Sequence, residues 1–379
     1  MQKSNRLRSV FARSVFSLAV LASFTGVVRA DDNTGAVYVL SNQVGNNSVI
    51  VFDRSSEGTL TYASTVPTGG SGTGPLAASG APFLDPLASQ GSLAIHGGLL
   101  LAVNAASNDV SLFSIEDKQP VLVDKVPSGG VMPVSIAVRG FYAYVLNQGN
   151  ATTPPKVTGF AIDPIHNHLV PLGVESPLAG GVAAGPAQVG FSDSGDLLIV
   201  TEKGTNLIDT YHIGYHGELS QPASFASTGS VPFGFSVTRD NVLVVSDAAS
   251  GAASSYKIKG DGTLTAVTGP VSNGGQKAPC WLVTTRDGRF AYEANAGSST
   301  ISSFAVSRNG TLTLTNDAAA AVGGGLLDMA LSDDSRFLFV RDGSGTVAGY
   351  EVHEDGHLSA VGTLPTGSLP TGSQGIAAR

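Results

Sequence analysis

The chain has 379 residues, of which 42% are hydrophobic, 13% are charged and 48 are glycine. That is ample apolar material for a large core, and few charges with many glycines suit short strands joined by tight turns. A net charge of −8 argues against nucleic acid and anionic lipid as partners, and a single cysteine, Cys280, excludes an intramolecular disulfide framework.

Residues 1–30 stand apart. Lys3, Arg6, Arg8 and Arg13 form a basic lead, Ser14 to Val28 is an apolar run, and Val28-Arg29-Ala30 supplies small residues where a signal peptidase reads. The pattern is that of a secretory signal, and a run of about 15 residues is short of the about 20 that span a membrane. Its removal deletes five cations and no acid, taking the net charge from −8 to −13. Export to the periplasm or beyond is expected, with no membrane attachment after cleavage and a monomeric product.

From residue 31 to 379 one supersecondary unit is copied seven times and reads as a single domain. An aromatic residue is followed eight or nine positions later by a leucine just past a turn: Phe52/Leu60, Phe113/Leu122, Phe160/Leu169, Tyr211/Leu219, Tyr256/Leu264, Phe304/Leu312 and Tyr350/Leu358. The recurrence, every 45 to 61 residues, marks a repeat architecture. Each unit reads as four strands. The first often follows a proline (Pro133, Pro186, Pro232, Pro279). The second is apolar and ends on a polar residue, giving Val37–Asn42, Leu99–Asn104, Tyr142–Asn147, Leu197–Glu202, Val242–Asp247, Phe290–Asn295 and Phe337–Asp342. The third carries the aromatic, and turns such as Asp261-Gly262-Thr263 and Asn309-Gly310-Thr311 supply the positive φ of a hairpin. The leucine opens the fourth strand, which runs out into glycine pairs such as Gly69-Gly70, Gly129-Gly130 and Gly180-Gly181.

Unit one lacks a first strand, and the final residues Gln374-Gly375-Ile376-Ala377-Ala378 read as the missing one. The fold expected is therefore all-β: a seven-bladed β-propeller closed by its C-terminal strand, leaving no long exposed edge. An open solenoid or a sandwich array is the alternative, but a solenoid needs atypical caps rather than complementary ends.

Four irregular segments fall on the face where second strands end: Thr68–Gln90, Gln148–Lys156, Ser176–Gly185 and Ala248–Ala253. Long loops on one face of a rigid scaffold mark a working face, and Phe83-Leu84 gives the first an apolar tip that could cover a ligand. Of the polar strand ends, Asn104, Asn147, Asp247 and Asn295 could bind a ligand, although Asn and Asp also cap turns through their own backbone. Glu202 breaks that pattern, with Lys203 beside it. Gln188, Trp281 and Asp328 stand at a first-strand position that is Ser or Gly elsewhere, and Arg341 precedes Asp342. A carboxylate, cations and an aromatic around one mouth could bind and polarise a small ligand; equally, Glu202–Lys203 could be an exposed pair and Trp281 interblade packing. All seven histidines fall away from that mouth. No metal-ligand spacing and no phosphate loop is present, so neither metal nor cofactor is expected.

The segments Ala187-Gln188-Val189-Gly190-Phe191-Ser192, Pro232-Phe233-Gly234-Phe235, Cys280-Trp281-Leu282-Val283-Thr284 and Leu327-Asp328-Met329-Ala330-Leu331-Ser332, with Asp-Gly-x-Leu-Thr turns, resemble the propeller lactonase family of 6-phosphogluconolactonases and carboxymuconate-lactonising enzymes. The resemblance covers residues 35–379 and implies hydrolysis or formation of a lactone by carboxylate, arginine and histidine side chains at the channel mouth. As candidate catalytic residues Glu202 supplies a carboxylate and Lys203 and Arg341 supply cations; no histidine stands there. The functional expectation is an exported lactonase-like protein acting on a small carboxylated or sugar-derived ligand at the mouth. A non-catalytic propeller that binds a glycan, small ligand or protein is the alternative.

Overall fold

The computed structural model describes residues 34–76, 85–163 and 165–379. The signal segment and the Phe83-Leu84 tip lie outside the described residues. Seven antiparallel sheets of four strands each form a ring of blades. The second strands lie between neighbouring blades and are buried on both faces, as in Leu197–Glu202 and Phe337–Asp342. That is why they read as unbroken apolar runs rather than alternating ones. Fourth strands such as Leu264–Ser272 form the largely exposed perimeter.

Six of the seven expected second strands have the bounds read from the sequence. The first instead spans Gly35–Leu40, because Asn42 adopts φ 51° and takes the chain out of the ladder. The closing strand is Gln374–Ala378, with Ile376 opposite Val39, Ala377 opposite Tyr38 and Ala378 opposite Val37.

The seven repeated aromatic rings are all buried. Their leucine partners open the fourth strand in blades one, five, six and seven. In blade three Leu169 is the second residue of its strand, one after His168, and two blades depart further. In blade two Leu122 lies inside the strand and is exposed, with Pro120 buried in its place; in blade four Leu219 makes only an isolated bridge to Ile213. The third-to-fourth-strand turns do need positive φ, at 80° for Gly262 and 99° for Gly310.

Candidate functional site

The polar residues at the ends of the second strands are taken up in the seams between blades. A Cβ on Gly70 would collide with Asn104, on Gly130 with Asn147, on Gly180 with Glu202 and on Gly229 with Asp247. The glycine run-outs and the polar strand ends are thus two halves of one repeated contact. Asn104 donates to Asp109 and Ser111 and accepts from Asn47 and Thr68, which uses its amide fully. Asn295 donates to Thr300 and Ser302 and accepts from Asn273. Asn147 donates to Thr158, and Asp247 accepts from Ser227 and Ser254, with burial pushing its carboxyl up to about 7. All four side chains are buried; Asn104, Asp247 and Asn295 bond to the preceding blade, and Asn147 bonds within its own.

Glu202 belongs to the same set. Its carboxylate accepts the Gly180 N–H at 3.1 Å and the Thr205 hydroxyl, and burial, reinforced by neighbouring Asp209, pushes it up to about 7. Lys203, one residue on, points the other way, as alternation at a strand end requires. Its ammonium lies 2.5 Å from Ala88 O and 2.7 Å from Pro186 O, and 5.1 Å from the centre of the Phe233 ring. The structure therefore separates two residues that the sequence places side by side.

The acceptor Ala88 comes from the Thr68–Gln90 insertion. Rather than lying only over the mouth, its end, Asp85–Gln90, enters the channel and is fastened to three blades. The Gln90 side chain pairs with both backbone groups of Leu282, at 2.9 and 3.0 Å, as a one-residue strand would. Gln90 N–H donates to Ala187 O, Ser89 Oγ donates to Val134 O, and Trp281 Nε1 donates to Ser89 O at 3.0 Å. Trp281 is thereby buried, edge-on to Phe233, as a support for this plug. Gln188 uses the Gln90 device on blade five, pairing with Phe235 N–H and C=O.

Around the outer end of the plug four charged side chains converge: Asp85, Lys203, Asp328 and Arg341. Asp328 and Arg341 are opposite each other in the blade-seven ladder. Arg341 is 1% exposed, yet its Nε and Nη1 have no hydrogen-bond partner among the described residues. Burial pushes Arg341 down to about 10 and Asp328 well above the carboxylate range. Burial likewise pushes Asp85 up to about 7 and Lys203 down to about 8. None of the four takes part in any ion pair of the described residues. A buried guanidinium without a partner is costly, so the arrangement suits an anion or a polarised carbonyl oxygen beside Arg341.

Of the residues singled out in the sequence, the structure brings together Lys203, Arg341, Asp328 and Trp281. It places Glu202, Asn104, Asn147, Asp247 and Asn295 in seams and Gln188 between two inner strands. Asp85 was not singled out, although it is the one charged residue of Thr68–Gln90. The loops Gln148–Lys156 and Ser176–Gly185 meet around a cavity of about 690 Å³ lined by Met132, Gln148, Asn150 and Val182. His96 borders a different cavity, of about 630 Å³, with Arg139 and Phe191 at the far ends of inner strands. No group of three or more His, Cys, Asp or Glu among the described residues is placed to hold a metal ion.

The fold is thus a seven-bladed propeller whose channel holds two buried cations beside two carboxylic acids. The chain belongs to the family described as "Lactonase, 7-bladed beta-propeller", which matches residues 139–277 and 268–374. No curated protein matches the sequence. Among solved structures, a protein from Lactobacillus plantarum is similar at TM-score 0.70 and 17% identity, covering 91% of this chain and 99% of that one. A putative 6-phosphogluconolactonase from Bacteroides fragilis is similar at TM-score 0.66 and 16% identity, covering 93% and 99%. The periplasmic gluconolactonase PpgL of Pseudomonas aeruginosa is similar at 0.69 and 16%, covering 90% and 98%. At these identities the structural likeness speaks for the fold.

Proposed function

We propose that the protein is a lactonase-type hydrolase that opens, or in reverse closes, a lactone of a small carboxylated or sugar-derived molecule at the channel mouth. The observation that carries this reading is the buried Arg341, whose Nε and Nη1 have no partner among the described residues and which, like Lys203, faces Asp85. In lactone hydrolysis the carbonyl oxygen becomes an oxyanion and the product is a carboxylate; both are stabilised by cations in a water-poor site. Trp281 supports the plug that floors this site. Glu202 holds the Gly180 turn of the Ser176–Gly185 loop in the adjoining seam. Family membership supports the reaction class, and the structural neighbours include a putative 6-phosphogluconolactonase and a gluconolactonase.

We also propose that the protein is exported. The support is the basic lead and apolar run of residues 1–30. Among the described residues no helix is long and apolar enough to cross a membrane, and one structural neighbour is a periplasmic gluconolactonase.

The test is a panel of sugar and aliphatic lactones assayed with wild type, Arg341→Gln and Glu202→Gln, on protein recovered from the periplasm of a bacterial host. Arg341→Gln is expected to lower kcat/KM on a responsive lactone by about 100-fold. Glu202→Gln is expected to lower it by no more than several-fold, and the recovered chain is expected to begin at Asp31. Equal rates for wild type and Arg341→Gln would remove the oxyanion role. An intact N-terminus would remove export.

The near-complete burial of Arg341 and Asp328 favours one second reading, a non-catalytic binding propeller. Thermal stabilisation by a glycan or small acid with no lactone turned over would establish it.

A further inference from the structure

Asp85 is the one member of the charged cluster that no blade contributes. It reaches the channel because the plug behind it is fixed to blades three, four and six, and its Oδ1 accepts the Ala88 N–H at 2.9 Å. The charged and titratable groups facing it are Lys203 of blade four, Arg341 and Asp328 of blade seven, and the Cys280 thiol of blade six. Lys203 is held by two carbonyl oxygens and Asp328 accepts the N–H of Met329. Arg341 keeps Nε and Nη1 without a partner among the described residues.

We propose that Asp85 is the proton acceptor of the mouth site, and that its protonation state sets whether Lys203 and Arg341 are free to hold a carboxylate. The proposal rests on the lactonase reading for its chemical step. In that step Asp85, as a carboxylate, takes a proton from water while the water oxygen bonds to the lactone carbonyl carbon. The ring C–O bond then breaks with its electron pair on the ring oxygen, which takes the proton back from Asp85. The hydroxy acid so formed passes its acid proton to Asp85, leaving neutral Asp85 and a product carboxylate between the two cations. Dissociation of product and loss of the proton to solvent restore the site.

Burial supports this role by placing the Asp85 transition near neutrality, at about 7, below the Lys203 transition at about 8. Around the first of these values the charge of Asp85 changes while Lys203 is still a cation. Ionised, it competes with an external carboxylate for the cations; protonated, it does not.

The experiment is calorimetric titration of gluconate into wild type, Asp85→Asn and Arg341→Gln from pH 5.5 to 8.5, with kcat/KM profiles on any lactone that responds. Asp85→Asn keeps the acceptor for Ala88 N–H, and Asp85→Glu serves as the conservative control. Wild-type gluconate affinity is expected to fall roughly tenfold per pH unit above about 7. Asp85→Asn should bind with little pH dependence up to about 7.5, and Arg341→Gln should not bind. Wild-type kcat/KM should rise to a plateau above about 7. Asp85→Asn should lose at least about 100-fold together with that limb, and Asp85→Ala should regain part of the rate with added formate. An identical pH dependence in wild type and Asp85→Asn overturns the proposal, as does absence of gluconate binding by wild type. Proton-linked gluconate binding without turnover of any lactone overturns the lactonase reading and the chemical step, and supports the proton-gated carboxylate site.

Discussion

Deletion of Gly372–Arg379 is expected to abolish the cooperative thermal transition of the wild-type protein, or to lower it by well over about 10 °C. The closing strand pairs Ile376, Ala377 and Ala378 with Val39, Tyr38 and Val37, and Arg379 and Ala36 exchange two backbone hydrogen bonds. Removing it exposes one edge of Gly35–Leu40, a strand that is buried throughout, and opens the contact between blades one and seven. The cost is on the order of 5 kcal/mol or more, against a total stability of about 5–15 kcal/mol for a folded domain. Differential scanning calorimetry with limited proteolysis between Leu40 and Ser48 checks it. An unchanged melting temperature would refute closure of the ring by this strand.

Gln90→Ala is expected to be the most destabilising single substitution in the plug, at about 3–5 kcal/mol. The channel-facing edge of an inner strand carries N–H and C=O groups that its own blade does not pair. Gln90 satisfies Leu282 N–H and Leu282 C=O together, in a place that is itself buried. Alanine leaves both groups without a partner, and Gln90→Glu keeps an acceptor but loses the donor to Leu282 O, so it should also destabilise. Gln188 makes the same pair of bonds to Phe235 where solvent reaches, and Gln188→Ala should cost about 1 kcal/mol. Urea unfolding of the three variants decides. A Gln90→Ala midpoint equal to that of wild type would show that the plug is not anchored through Leu282.

The blade architecture was legible because a propeller is made of local parts. Each hairpin joins residues close in sequence, so Gly262 and Gly310 announce their turns and the buried aromatics return at a regular interval. Leu122 shows the limit of that reading: its spacing fits the repeat, but Pro120 takes the buried place and the leucine faces solvent. The glycine pairs and the polar strand ends were both visible, while their collision geometry was not. Gly180 and Glu202 lie on different blades, and their contact exists only once those blades are stacked.

By itself, then, the sequence determined seven blades, four strands in each and a ring completed by its last residues, because hydrophobic period and turn chemistry act over a few residues. Only the tertiary structure decided where the charges meet. Glu202 and Lys203 are neighbours in the chain and diverge, since consecutive strand residues face opposite ways. Asp85, Lys203, Asp328 and Arg341 are remote from one another and converge, since the channel is the one place where every blade and the plug come together.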